Sequence, residues 1–322
     1  MTLVRSCLAT KGETFNPEKE IPHLSDKVIL VTGGYAGLGK ATVQALVKHS
    51  PSHVYIAGRN TEKGAEMIDE IKTSTPNAAI SFLQCDLASF VSVEGAARQF
   101  QLSSQRLDIL ICNAGVMCLP PGLTQDGYEM QFGTNHLGHA LLIKLLLPTL
   151  LRTAQELQAD VRIITLASSR FRHTPPGGIV FKDLRNTQAH LRFGSWSRYG
   201  QSKLANVLYT KELARRYPGI LSVSLHPGVV DTQLATTWTR GSSFLQAGQW
   251  MLRKTVLKSP EDGALNQLWA AFGRREKLVN GAYYEPIGVE GKQTKDSTNA
   301  KLAEELWEWT QAELAKYEAC DV

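Results

Sequence analysis

The sequence predicts an α/β fold, a single doubly wound parallel sheet with helices on both faces. Short β-branched runs alternate with helical patterns along most of the chain. Those runs are mostly apolar and lack a clean alternation, as strands covered on both faces do. A glycine-rich turn joins the first run to the first helical pattern, the junction at which such sheets bind ligands.

The elements follow in order. Val28–Thr32 (VILVT) reads as the first strand, then the glycine-rich turn and a helix through Lys48. Residues 54–57 (VYIA) form the second strand and 63–73 the next helix. Strands are expected at 80–85, Ile109–Cys112, 161–167 and Leu221–Leu225, with helices near 92–100, 131–151 and 199–217. Right-handed crossovers between parallel strands complete the doubly wound sheet. No break in this rhythm marks a domain boundary, so residues 1–322 are expected to be one domain. It would carry an N-terminal extension (1–25), a small helical lid (233–258) and a periodic C-terminal helix (301–317).

Composition narrows the function. Of 322 residues, 43% are hydrophobic and 20% charged, and the net charge is +5, too small and too dispersed to point to nucleic acid. Cys7, Cys85, Cys112, Cys118 and Cys320 are scattered and show no C-x-x-C spacing, which argues against zinc, any other metal centre and a disulfide framework. A reducing, cytoplasmic setting is the expectation, with peripheral membrane contact left open. The opening MTLVRSCLATKGETFNPEKE has no apolar stretch for a signal or anchor. The most apolar window, 137–151, contains His139, Lys144 and Pro148; it is short for a bilayer span and reads as a buried core helix.

The turn after the first strand is Thr32-Gly33-Gly34-Tyr35-Ala36-Gly37-Leu38-Gly39. Its glycines let backbone N–H groups approach a pyrophosphate at the positive end of the following helix. Alone the motif is weak; between a strand and a helix it predicts a dinucleotide site. The second strand ends Ala57-Gly58-Arg59-Asn60, with no acid to accept from a ribose 2′-OH. Arg59, with Lys40 after the last glycine, suits a 2′-phosphate, so the predicted cofactor is NADP(H). Lys63 is better read as a solvated helix lysine. Asp86, followed by Leu87 at the end of the third strand, is placed for the adenine edge or as a helix N-cap.

Tyr199 and Lys203 stand at i and i+4 on one helix face. A lysine charge beside the phenol favours the phenolate and is expected to pull its pKa down. The pairing is common by chance and becomes specific through its company. Ser168 lies beyond a core strand, Asn113-Ala114-Gly115 follows another strand end, and His226-Pro227-Gly228 ends a further one, with Val230 and Thr232 beyond. Asn135 sits inside an apolar helix, where a buried amide needs partners; holding a water that relays protons from Lys203 is its expected task.

Taken together, T-G-x-x-x-G-x-G, N-A-G, the isolated Asn, the Ser, Y-x-x-x-K and H-P-G resemble the short-chain dehydrogenase/reductase family, whose sheet is of the Rossmann type. LVTGGYAGLGKATV, LDILICNAGVM, TNHLGHALL and YGQSKLANVLYTKELARRYP are similar to its retinol-dehydrogenase-like and WW-domain-oxidoreductase-like branch, and the tail to fungal members. The resemblance implies NADP(H), hydride transfer at a carbonyl or alcohol carbon, and the tetrad Asn135, Ser168, Tyr199 and Lys203. Tyr35 stands where the branch has a small polar residue, and Ser169 competes with Ser168 for the catalytic role. Trp238, Phe244, Leu245, Trp250 and Met251 fall where the family has its substrate lid. They imply a fairly bulky apolar small-molecule substrate, or serve only to pack on the sheet. The chain is expected to be a monomer or homodimer. A redox-neutral dehydratase, isomerase or cyclase on the same scaffold is the first rival, and a non-catalytic NADP(H)-binding protein the second; the intact tetrad argues against both.

Overall fold

The computed structural model describes residues 12–230 and 258–317. Eight strands form one sheet: β1 (Val28–Thr32), β2 (His53–Gly58), β3 (Ile80–Gln84), β4 (Ile109–Cys112), β5 (Arg162–Leu166), β6 (Leu221–Leu225), β7 (Tyr283–Glu285) and β8 (Val289–Glu290). Their order is β3-β2-β1-β4-β5-β6-β7-β8, with β7 and β8 antiparallel and every other pair parallel. The order reverses between β1 and β4, and a crevice opens at the carboxyl ends of strands at such a point. The Rossmann-type fold read from the sequence is the fold observed.

Every residue of β1, β4, β5 and β6 is buried, which is why these strands are rich in apolar residues. One face of the sheet is covered by α1 (Gly37–Val47), α2 (Thr61–Ser74) and, counted in chain order, α6 (Pro260–Phe272). Val43, Met67, Ile111 and Leu268 meet in the core there. The other face carries α3 (Phe90–Ser103), α4 (Met130–Ala154), α5 (Gly194–Arg216) and α7 (Ala300–Glu313), where Phe100, Leu110, Leu141, Leu208 and Leu306 pack together.

The differences from expectation have local causes. β7 and β8 are three and two residues long, too short to show a period. α6 was also unforeseen, although Ser259 caps it, its Oγ accepting from the Asp262 N–H at 3.1 Å, and Pro260 occupies its first turn. α5 begins at Gly194, ahead of the expected residue 199. α7 ends at Glu313, but Leu314 and Tyr317 beyond it are still buried. The expected lid and Thr232 lie outside the described residues, as does the start of the N-terminal extension.

α4 is long and apolar enough to cross a bilayer, yet 67% of its most apolar window is buried inside the protein, which makes it a core helix. It is not regular. Residues Gly133–Leu137 form one π-helical turn, a distortion that recurs at functional sites. Two histidines flank its end. His136 Nε2 lies 3.0 Å from Thr310 Oγ1 and ties α4 to α7. Burial pushes the His136 imidazole down to about 3, from an ordinary value of 6.5.

Between those two values the unfolded chain binds a proton that the folded chain does not, so stability falls as pH drops below the unfolded value. Chemical unfolding of the wild type is expected to show this fall between about pH 7 and about pH 5. His136→Asn should be less stable at neutral pH but should fall less steeply, by up to about 1.4 kcal/mol per pH unit. Parallel slopes for the two proteins would contradict the neutral, buried imidazole.

Candidate active site

The glycine-rich turn sits at the β1 end of the crevice. Gly33 adopts φ +67°, and a Cβ on Gly39 would stand 2.2 Å from the Gly33 carbonyl oxygen, so neither position tolerates a side chain. α1 starts at Gly37 with no side-chain cap and no acid in its first turn. Its leading N–H groups are therefore available to an anion. Tyr35 turns away from this helix end and lies over Gly58, edge-on to Phe82 with ring centroids 6.1 Å apart. Leu38 and Val230 meet over Gly263, which brings the end of β6 to the turn.

A buried network joins the turn to α4. Asn113 Nδ2 donates to the Thr32 carbonyl at 2.8 Å, and the Ala114 N–H donates to Thr32 Oγ1 at 2.9 Å. Thr32 Oγ1 in turn lies 2.9 Å from His139 Nε2, whose ring reaches back through Nδ1 to the Asn135 carbonyl at 3.1 Å. Burial pushes His139 down to about 4. A neutral ring that donates from Nδ1 accepts from Thr32 at Nε2, so one tautomer satisfies every member. The sequence reading noted His139 only as a polar residue in an apolar window. The Asn113 amide belongs to this network.

Asn135 is buried in a second network. Its Oδ1 accepts from the Val116 N–H at 2.7 Å, while Nδ2 donates to the Val116 carbonyl and to Ser202 Oγ, both at 2.9 Å. The side chain thereby pins the loop after β4 to α5. Gly115 rides above it: a Cβ there would lie 3.0 Å from Asn135 Oδ1 and 3.6 Å from Lys203 Nζ.

Tyr199 and Lys203 are both buried on α5, with Lys203 Nζ 5.8 Å from the centre of the tyrosine ring. Lys203 Nζ donates to the Leu166 carbonyl at 2.8 Å, and Asn206 Nδ2 donates to the same oxygen at 3.0 Å. Ser168, not Ser169, hydrogen-bonds the Tyr199 phenol; Ser169 opens the 3₁₀ turn Ser169–Arg172. Burial pushes the phenol up to about 12, against the Ser168 hydrogen bond and the nearby charge of Arg170. Burial also draws the Lys203 ammonium down to about 7. Among this chain's own groups, desolvation outweighs the charges around the phenol.

The remaining expected residues are distributed around this centre. Pro227 and Gly228 follow β6, Gly228 with φ +95°, and Asn266 of α6 holds the turn by donating to the His226 carbonyl at 2.8 Å. Asp86 is not the cap of α3. Its Oδ1 accepts from the Ala88 N–H at 3.0 Å, while Asp126 accepts from Phe90 N–H at 2.8 Å. Leu87 is buried against Gly138 of α4. Lys40 pairs with Glu70 of α2, so the cation corner reduces to Arg59, which is exposed and makes no ion pair among the described residues. No cluster of metal-ligating side chains exists among the described residues. Just before Tyr199, Arg198 and Glu129 form a fully buried ion pair at 3.2 Å, and Arg198 Nη2 donates to the Leu119 carbonyl at 2.9 Å. That brace joins residues far apart along the chain and has no local sequence signature.

This chain belongs to the short-chain dehydrogenase/reductase family, whose short chain dehydrogenase model matches residues 27–242. It is similar to an uncharacterised oxidoreductase of Schizosaccharomyces pombe, with 42% identity over 94% of this chain and 88% of the relative. Human retinol dehydrogenase 11 is 36% identical over 88% of this chain and 85% of its own. Among solved structures, an uncharacterised protein of Mycobacterium paratuberculosis superposes with a TM-score of 0.71 at 28% identity, covering 96% of this chain and all (100%) of the other. The likeness to fungal and retinol-dehydrogenase-like members read from the motifs holds.

The buried lysine has a consequence for stability. From about pH 7 up to the ordinary lysine value of 10.5, the unfolded chain holds a proton on Lys203 that the folded chain has lost. The contribution of Lys203 to stability should therefore rise with pH across that window, by up to about 1.4 kcal/mol per unit, and be constant below it. Lys203→Met should abolish the rise in urea unfolding measured at about pH 7 and about pH 9. A wild-type profile that is flat or falling there would show the lysine to be charged throughout.

Proposed function

We propose that this chain is an NADP(H)-dependent carbonyl reductase acting as one dinucleotide-binding unit. The observation that carries the reading is the convergence of Ser168, Tyr199 and Lys203 in one buried cluster at the carboxyl ends of the central strands. The uncapped N-terminus of α1 and the glycines at its entrance fit a dinucleotide pyrophosphate. Arg59 at the end of β2, exposed and without a carboxylate partner, fits a 2′-phosphate and supports NADP(H) over NAD(H). The absence of an acid at that strand end supports the same preference.

Bound NADPH supplies the hydride that reduces a carbonyl carbon. Tyr199 Oη then donates its proton to the oxygen that becomes the alcohol, and Ser168 Oγ hydrogen-bonds that oxygen while the charge develops. A phenol held near 12 is protonated at neutral pH, which suits donation. Lys203, fixed on the Leu166 carbonyl, stabilises the phenolate left behind and would hold the ribose hydroxyls of a bound cofactor. Burial of the cluster excludes water from the proton transfer. A relative named for retinol, an apolar alcohol, supports a bulky apolar substrate for this chain as well.

Tyr199→Phe should reduce NADPH oxidation with a ketone or aldehyde by about 10²-fold or more while leaving NADPH affinity near that of the wild type; turnover that survives the substitution refutes the mechanism. Arg59→Ala should weaken NADPH binding by about tenfold or more, with little change for NADH, in fluorescence titrations. Equal losses for the two nucleotides would remove the basis for the cofactor preference.

A further inference from the structure

Arg170 stands beside the reacting groups, and the reduction just described makes no use of its guanidinium. It is the second residue of the 3₁₀ turn that follows Ser168. The guanidinium lies over the Trp196 ring, Cζ 4.2 Å from the centroid, and Trp196 is edge-on to Tyr199 at 6.5 Å. Its charge reaches both the Tyr199 phenol and the Cys118 thiol. The arginine is thus on the wall of the crevice that faces the phenol.

Its lack of a partner sets it apart. Arg162 is paired with Asp160, Arg172 with Glu285 and Arg198 with Glu129. Arg170 has no carboxylate partner among the described residues, and its buried Nε has no hydrogen-bond partner. A half-buried cation with an unfilled N–H is costly to keep unless something fills it. Stacking on Trp196 fixes the plane of the fork, which leaves its edge preorganised for a pair of oxygens.

We propose that Arg170 anchors an anionic oxygen of the substrate, a carboxylate or acidic enolate carried close to the reacting carbonyl. The assignment rests on the reductase reading above and sharpens it: the substrate is an apolar skeleton with an acidic head. The anion is a handle and is chemically unchanged. The hydride goes to the carbonyl carbon and the Tyr199 proton to its oxygen, as before. Matched neutral ketones lack the handle and bind less well.

The test compares two matched pairs of apolar ketones with NADPH: a keto acid against its methyl ester, and an enolisable 1,3-diketone against its non-enolisable dimethyl analogue. The wild type should prefer the anionic member of one pair by about tenfold or more in kcat/KM, chiefly through KM. Arg170→Gln should collapse that ratio, and Arg170→Lys should restore part of it. Preference within the first pair alone identifies a carboxylate, within the second alone an enolate. A wild type indifferent to charge in both pairs overturns the proposal, as does an Arg170→Gln that slows both members of each pair equally. If the wild type reduces none of the four, the reductase reading fails. Quenching of tryptophan fluorescence by the keto acid, present in the wild type and lost in Arg170→Gln, then still upholds the anion anchor, and its absence from the wild type overturns it.

Discussion

The site depends on one constraint, the complete burial of the Asn135 side chain inside α4. A buried amide must satisfy its donors and acceptor, and here the partners are the backbone of Val116 and the hydroxyl of Ser202. Those partners lie on different elements, the loop after β4 and the helix α5. The amide therefore sets the distance between the floor of the crevice and the tyrosine–lysine helix. The π turn at Gly133–Leu137 belongs to the same arrangement, since the Asn135 carbonyl meets the ring of His139. Through His139 and Thr32, the glycine-rich turn is held to the same frame.

Burial governs the electrostatics of this frame. Lys203 and Tyr199 are both driven toward their neutral forms, the lysine down to about 7 and the phenol up to about 12. The lysine is held not by an acid but by a backbone carbonyl, which fixes its position without cancelling its charge. At neutral pH such a pair keeps a proton on the phenol, ready to be given up. Arg170 adds a second cation on the open side of the phenol, stacked on Trp196. Among the described residues, the basic groups Lys203 and Arg170 stand beside the phenol, an arrangement that favours negative charge on the phenolate or on a ligand.

Much of this was legible in the sequence, for physical reasons. Strands that are largely buried leave short, β-branched, mostly apolar runs, so β1 to β6 could be read nearly to the residue. Tyr199 and Lys203 are one helical turn apart, a local relation that spacing reveals. What escaped the reading is non-local. A backbone carbonyl such as that of Leu166 has no sequence signature, nor does the pairing of Arg198 with Glu129. Asn135 was rightly singled out as a buried amide, but its partners could only be found in three dimensions. The phenol was expected to be lowered by its lysine because charge is visible in a sequence and desolvation is not. Lys40 looked like a phosphate ligand until Glu70, one helix away, proved to hold it.

The central claim is that this frame positions a nicotinamide against Tyr199. A crystal structure of the chain grown with NADPH tests it most directly. The account predicts the pyrophosphate on the N–H groups at the start of α1, the ribose hydroxyls on Lys203 Nζ, and the nicotinamide ring in the crevice beside Tyr199. A nucleotide bound elsewhere, or one whose nicotinamide points away from the tyrosine while the Asn135 network remains intact, would contradict it.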